Sequence, residues 1–245
     1  MYRSRPTLGT QVLGLATLVV LVACGSDKAT SPGTTATVRV VNASSSTSSL
    51  NANTAGNQSL SSGLNFQNTN ASATCSTVNS GSQTINFTSG TAATNIGAVT
   101  YNFLPGKNYT VVYYGTNNVA VYPETFTAPT TGNMALRFIN ATGSAGDVYL
   151  TTPTGTISGT PTVQNLPAGT VSGFNSSSAP GGTFVNTYPT GNTRVRLFNV
   201  GSTSGTPRAD FTIGSMGTNR VGTVVLTPAP SGGTTTGFVV NTCGT

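Results

Sequence analysis

The chain has 245 residues, of which only 6% are charged, against about 25% in an average soluble domain. Ten Lys and Arg, four Asp and Glu and no His give a net charge of +6. The absence of His removes the usual general base and the commonest metal ligand, so acid–base catalysis, a bound metal and a cofactor are not expected. The cations outside the N-terminus (Lys28, Arg39, Lys107, Arg137, Arg194, Arg196, Arg208, Arg220) are scattered along the chain. Nucleic-acid binding needs a contiguous basic stripe and is excluded on the same reading.

Residues 1–23 begin with a basic stretch holding Arg3 and Arg5 and continue through an apolar run from Leu8 to Val22. The run is shorter than the roughly 20 apolar residues of a membrane-spanning helix. Its close, Leu21-Val22-Ala23-Cys24, resembles a bacterial lipoprotein signal. The resemblance implies cleavage before Cys24, acylation of its sulfur and new amino group, and attachment to the cell envelope. Gly25 rather than Asp after the cysteine leans the sorting toward an outer membrane. The partner implied is the membrane itself, through the lipid. Loss of Arg3 and Arg5 with the signal leaves eight cations and four acids, a mature charge of +4.

Residues 24–36 lack apolar periodicity and read as the lipidated cysteine and a flexible tether. Beyond them, short Val, Ile, Tyr, Phe and Thr runs alternate with Gly, Pro, Asn and Ser clusters, the pattern of an all-β sandwich or barrel. The chain also repeats itself. Val38-Arg39-Val40-Val41-Asn42-Ala43 returns as Leu136-Arg137-Phe138-Ile139-Asn140-Ala141. The segment 80–87 returns as 190–197, and Thr110-Val111-Val112-Tyr113 as Thr223-Val224-Val225-Leu226. Three matches in one order predict two copies of a domain, 37–130 and 131–245, joined through Pro129-Thr130-Thr131-Gly132. Cys75 and Cys243, in different copies, are the candidate disulfide pair, two buried free thiols being the alternative. Cys75 aligns with Val185 rather than with another cysteine.

The Φ-Arg-Φ-Φ-Asn-Ala strand, the strand Asp147-Val148-Tyr149-Leu150 and the turn Leu166-Pro167-Ala168-Gly169 resemble the bacterial domain-of-unknown-function 4397 family, most clearly in the second copy. The resemblance implies two tandem Ig-like or transthyretin-like antiparallel β-sandwich domains on a secreted or lipid-anchored protein, with no known catalytic activity. The first copy departs from the family at Ser49-Leu50-Asn51-Ala52, which leaves the register of that strand open.

Catalytic candidates are few. Glu124, Asp147 and Asp210 are the only acids outside the tether, and isolated acids on sandwich strands are solvated or paired with arginine. The leading expectation is a non-catalytic structural or interaction protein of the envelope. The alternative is a module for glycan or another surface polymer, with an envelope protein or glycan as its partner, and a third reading is a hydrolase using Asp147 and Asp210. Trp, the favoured sugar-stacking residue, is absent, so Tyr114 and Tyr122 are the candidate platform. The competing reading puts Tyr113 in the core and Tyr114 over a sheet face. Asn-x-Ser/Thr sequons, Asn42 and Asn140 among them, read as a by-product of composition. Nothing in the sequence sets the oligomeric state.

Overall fold

The computed structural model of the chain describes residues 34–245 apart from 70–74, 91–93, 127–128, 130–132, 158, 173–182, 185–186, 190–191, 215–219, 230–235 and 244–245. Residues 1–23, read from the sequence as a signal, Cys24 and Val185 lie outside the described residues. From Pro32 to Thr245 the chain forms one compact unit. The described residues hold strands and turns and no helix, so the all-β sandwich reading is borne out.

The first nine strands are β1 (Thr35–Ala43), β2 (Leu50–Thr54), β3 (Ser59–Leu64), β4 (Asn68–Thr69), β5 (Ser76–Asn79), β6 (Gly81–Ser89), β7 (Thr94–Phe103), β8 (Asn108–Tyr114) and β9 (Asn118–Pro123). They make two sheets. In one, β1 lies between β8 and the pair β4 and β5, with β9 beyond β8; the other runs β3-β2-β6-β7. The remaining strands are β10 (Thr125–Phe126), β11 (Asn133–Asn140), β12 (Gly146–Thr151), β13 (Val163–Leu166), β14 (Thr183–Phe184), β15 (Thr187–Pro189), β16 (Thr193–Phe198), β17 (Ala209–Ile213), β18 (Val221–Thr227) and β19 (Thr236–Asn241). They repeat the plan as β15-β11-β18-β19 and β13-β12-β16-β17.

Most neighbours are antiparallel, but β1 with β8, β11 with β18 and the short β10 with β14 are parallel. That detail is not visible in the sequence, since a parallel pair needs a long crossover, supplied for the first two by the whole outer sheet. Thr35 and Ala36, grouped with the tether on sequence grounds, already belong to β1, and Ala36 is buried opposite Val78. β10, in the 37–130 segment, pairs with β14, and Phe126 packs on Ala135 and Val221 of the second sandwich.

Strand alternation sorts the apolar residues into three layers. Val38 and Val40 of β1 and Tyr109, Val111 and Tyr113 of β8 point into the first core, against Leu50, Ala52, Ile85 and Phe87. Met134, Leu136 and Phe138 of β11 and Val224 and Leu226 of β18 point into the second, against Val148, Val195 and Leu197. The opposite faces of the same strands carry Val41, Val112, Ile139 and Val225, which form a third buried cluster with Tyr122, Val171 and Val240. The two sandwiches are therefore stacked face to face. β1, β8, β11 and β18 are buried on both sides, which explains their near-continuous apolar runs.

The repeated Asn-Ala has a structural reason. The Asn42 side chain is fully buried where β1 ends, and its Nδ2 donates to Thr47 O and Leu64 O while Oδ1 accepts the Ser44 amide. Asn140 does the same with Ser144 O, Leu166 O and the Thr142 amide. A side chain offering two donors and an acceptor at one point fixes the loop leaving each strand. Both sequons are thereby buried. The open register at Leu50 is also resolved: Ala52, opposite Phe87, takes the place of Val148, opposite Leu197. The slide from the sequence alignment is two residues, which keeps each side chain on its face.

Candidate functional site

The three acids are all engaged in the fold. Asp210 on β17 is held bidentately by Arg194 of the neighbouring β16, at 2.6 and 2.5 Å. Asp147 is buried at the start of β12, where its two oxygens accept the amides of Asn165 and Gly201. Arg196, two residues from Arg194 on the same strand face, donates to Thr151 Oγ1 and Gly155 O. Among the described residues, no group of three or more Cys, Asp or Glu converges as a metal site would.

Glu124 stands at the centre of the layer between the sandwiches. Its side chain has no exposed surface and lies 3.9 Å from the equally buried Arg137 guanidinium. Oε1 accepts the Thr110 hydroxyl at 2.6 Å, and Oε2 accepts the Cys243 amide at 2.7 Å. Arg137 in turn donates to Thr110 Oγ1, Thr223 Oγ1 and Pro123 O. Burial pushes the Arg137 pKa down to about 10, against the pull of the Glu124 carboxylate. Arg39, its counterpart on β1, is also buried and also lowered, with Glu124 again opposing the drop. Of the two matched arginines, Arg137 is the one in ion-pair distance of that carboxylate.

The same layer holds other cross-links. Gln67 adopts a left-handed φ of 60°, uncommon for a residue with a long side chain, and its Nε2 donates to Thr227 Oγ1 at 2.8 Å and to Thr236 Oγ1. Cys75 and Cys243 are bonded, with a Cα–Cα distance of 5.8 Å. The Cys243 carbonyl accepts from Asn108 Nδ2, so the end of the chain is fastened to the first sandwich on three sides.

Tyr113 is wholly buried in the first core. Tyr122 is buried too, and its hydroxyl donates to Gly169 O at 2.7 Å in the Leu166–Gly169 turn of the other sandwich. Tyr114 is half-buried against that turn. Gly169 has a φ of +70°, and a Cβ there would run into the Tyr114 hydroxyl, so glycine is required on both counts. Tyr114 alone of the pair opens onto a cleft of about 510 Å³ between the sandwiches. Ser46, Thr116, Asn118, Thr142 and Ala168 line it together with the ring, and no lining residue is charged.

Burial raises the Tyr122 pKa, helped by Tyr114 and opposed by Arg137. A phenol whose pKa is raised on folding adds stability below its unfolded value near 10, and that stability is lost as pH rises toward the folded value. The Tyr122 contribution is therefore expected to fall above pH ~10, opposed over the same range by the lowered Arg137, and Tyr122→Phe is expected to remove the falling part. Unfolding midpoints measured across alkaline pH, alongside phenolate absorbance, check this.

The fold and this layer define the class: a tandem β-sandwich protein whose two copies are clamped face to face. Residues 36–151 match the model of the family described as "Domain of unknown function (DUF4397)". The match covers the first sandwich and runs to the end of β12, whereas the residues that suggested the family are clearest in the second. No curated protein matches the chain. One solved structure aligned with it is a family 26 carbohydrate-binding module of Eubacterium rectale Amy13K in complex with maltoheptaose. It is 13% identical, covers 85% of this chain and 97% of that one, and has a TM-score of 0.23, too low to bear on fold or function.

Proposed function

We propose that the chain is a non-catalytic protein of the bacterial envelope, held by lipid on Cys24 and presenting the paired sandwiches as one rigid interaction body. The supporting observation is that Glu124, Asp147 and Asp210 each spend their charge on the fold. None stands free in an open pocket, where a catalytic carboxylate would meet its substrate. Each buried CH₂ of an acyl chain contributes about 0.8 kcal/mol, so two or more chains hold a protein on a membrane durably. Cys24→Ala is expected to release the protein into the soluble fraction after high-salt washing. Full membrane retention of that variant overturns the anchor.

The cleft favours a second reading, glycan binding. Hydroxyl and amide groups beside one aromatic face suit a neutral polyhydroxylated ligand, and the volume is that of an ordinary small-ligand site. Glycan-panel binding by the full chain is expected to weaken at least about tenfold in Tyr114→Ala, the effect of losing roughly 1.4 kcal/mol of contact. Tyr122→Ala reports on stability instead, because Tyr122 is buried. Panel-wide failure to bind, or binding indifferent to Tyr114, removes this reading.

A further inference from the structure

β7 is the longest strand described, with ten residues, and it lies at the edge of the β3-β2-β6-β7 sheet. Among the described residues it pairs with β6 alone. Natural edges are usually blunted by charge, proline or shortness. β7 reads Thr-Asn-Ile-Gly-Ala-Val-Thr-Tyr-Asn-Phe and has no charge and no proline. Its register slips only near Ile96, so Gly97–Phe103 is regular. The matching edge in the second sandwich, β17, is half as long and carries the Asp210 carboxylate bound by Arg194. The two copies have treated equivalent edges differently.

The side chains of β7 are also incompletely covered. Val99 and Tyr101 pack on the first core but are only partly buried, while Ala98, Thr100 and Asn102 on the other face are exposed. Near Gly97 the start of β9 closes the corner, since a Cβ there would lie 3.3 Å from Asn117 O. The open stretch is therefore Ala98–Asn102, and Thr100 is its middle residue.

We propose that β7 is a self-association edge, to which a second copy of this chain adds its own β7 antiparallel with Thr100 opposite Thr100. The sequence is complementary to itself in this register. Val99 faces Tyr101 of the second copy on the core side, covering the apolar surface each leaves open. Thr100 faces Thr100 and Ala98 faces Asn102 on the outer side, where Thr100 already meets Thr84 at 2.8 Å. β-branched and aromatic cross-strand pairs of this kind stabilise sheets, and no charge is brought against a like charge. The two four-stranded sheets become one, and both free edges disappear.

The test uses the full chain in mild detergent and in its native membrane. Sedimentation is expected to show a concentration-dependent dimer. Thr100→Lys sets two ammonium groups against each other across the symmetry axis and is expected to weaken dimerisation at least about tenfold, with the unfolding midpoint unchanged at dilutions where the chain is monomeric, because Thr100 is exposed. Ala98→Lys serves as a second variant should Thr100→Lys fold poorly. Thr100→Cys is expected to cross-link two chains under oxidation, and the exposed Thr152→Cys is not. A monomer at every concentration overturns the proposal. So does a dimer indifferent to both lysine variants, or equal cross-linking from Thr152→Cys. A dimer without the Thr100→Cys cross-link also overturns it, since pairing would then be on another edge.

Discussion

Glu124→Ala is expected to destabilise the protein by about 3–5 kcal/mol, the range for removing one partner of a buried ion pair. Three losses coincide. The Arg137 guanidinium, with no exposed side-chain surface, loses its carboxylate. The Thr110 hydroxyl and the Cys243 amide lose their acceptor. Arg39, buried in the same layer, also loses the nearby charge that opposes the lowering of its pKa. Water cannot replace these contacts easily, because the layer is closed by Val41, Val112, Ile139 and Val225. Glu124→Gln keeps the shape and one acceptor oxygen but leaves the positive charge uncompensated, so it is expected to recover only a minor part of the loss. Combining Glu124→Gln with Arg137→Met is expected to cost clearly less than the two changes summed, since the residues share partners. Denaturant unfolding of the four proteins gives the coupling. A Glu124→Ala cost below about 1 kcal/mol would mean the pair is solvated and the layer open.

The second large effect is expected from the disulfide. Cys75 and Cys243 are 168 residues apart, and closing a loop of that length removes about 5 kcal/mol of chain entropy from the unfolded state in the simplest account. Measured bridges generally give less, so the Cys75→Ser, Cys243→Ser double variant is expected to lose roughly 2–4 kcal/mol. The end of the chain should still dock, through the Cys243 amide on Glu124 and its carbonyl on Asn108, because both are main-chain contacts that serine keeps. The wild-type protein with reductant should unfold at the midpoint of the double variant. An unchanged midpoint with two titratable thiols would show that the clamp owes nothing to the bridge.

Much of the fold could be read from residue order. The three matched segments fall on β1 with β11, β6 with β16 and β8 with β18, equivalent strands in the two sheet plans. What escaped was the stacking, although its trace was present. Val111 and Val112, like Val224 and Val225, are apolar at both parities, which a strand with one wet face avoids. Arg39 and Arg137 interrupt those runs and so read as solvent markers. The carboxylate beside the buried Arg137 is Glu124, which follows Pro123 and in sequence looks like a lone surface acid. Tyr122 looked like a ligand platform for a similar reason: the Gly169 carbonyl that accepts its hydroxyl comes from the other sandwich. Pairings between segments that each look complete have no local signature. The cleft beside Tyr114 shares this origin, since its walls come from both copies.

The Glu124–Arg137 pair also bears on whether the halves could replace each other, and they could not, since an acid of one lies against an arginine of the other. A chimera built from two first halves would bury two acids with two guanidinium groups. One built from two second halves would bury two guanidinium groups with no acid at all. The buried Arg137 of the second half has its counter-charge in the first, so separating the halves would strand it.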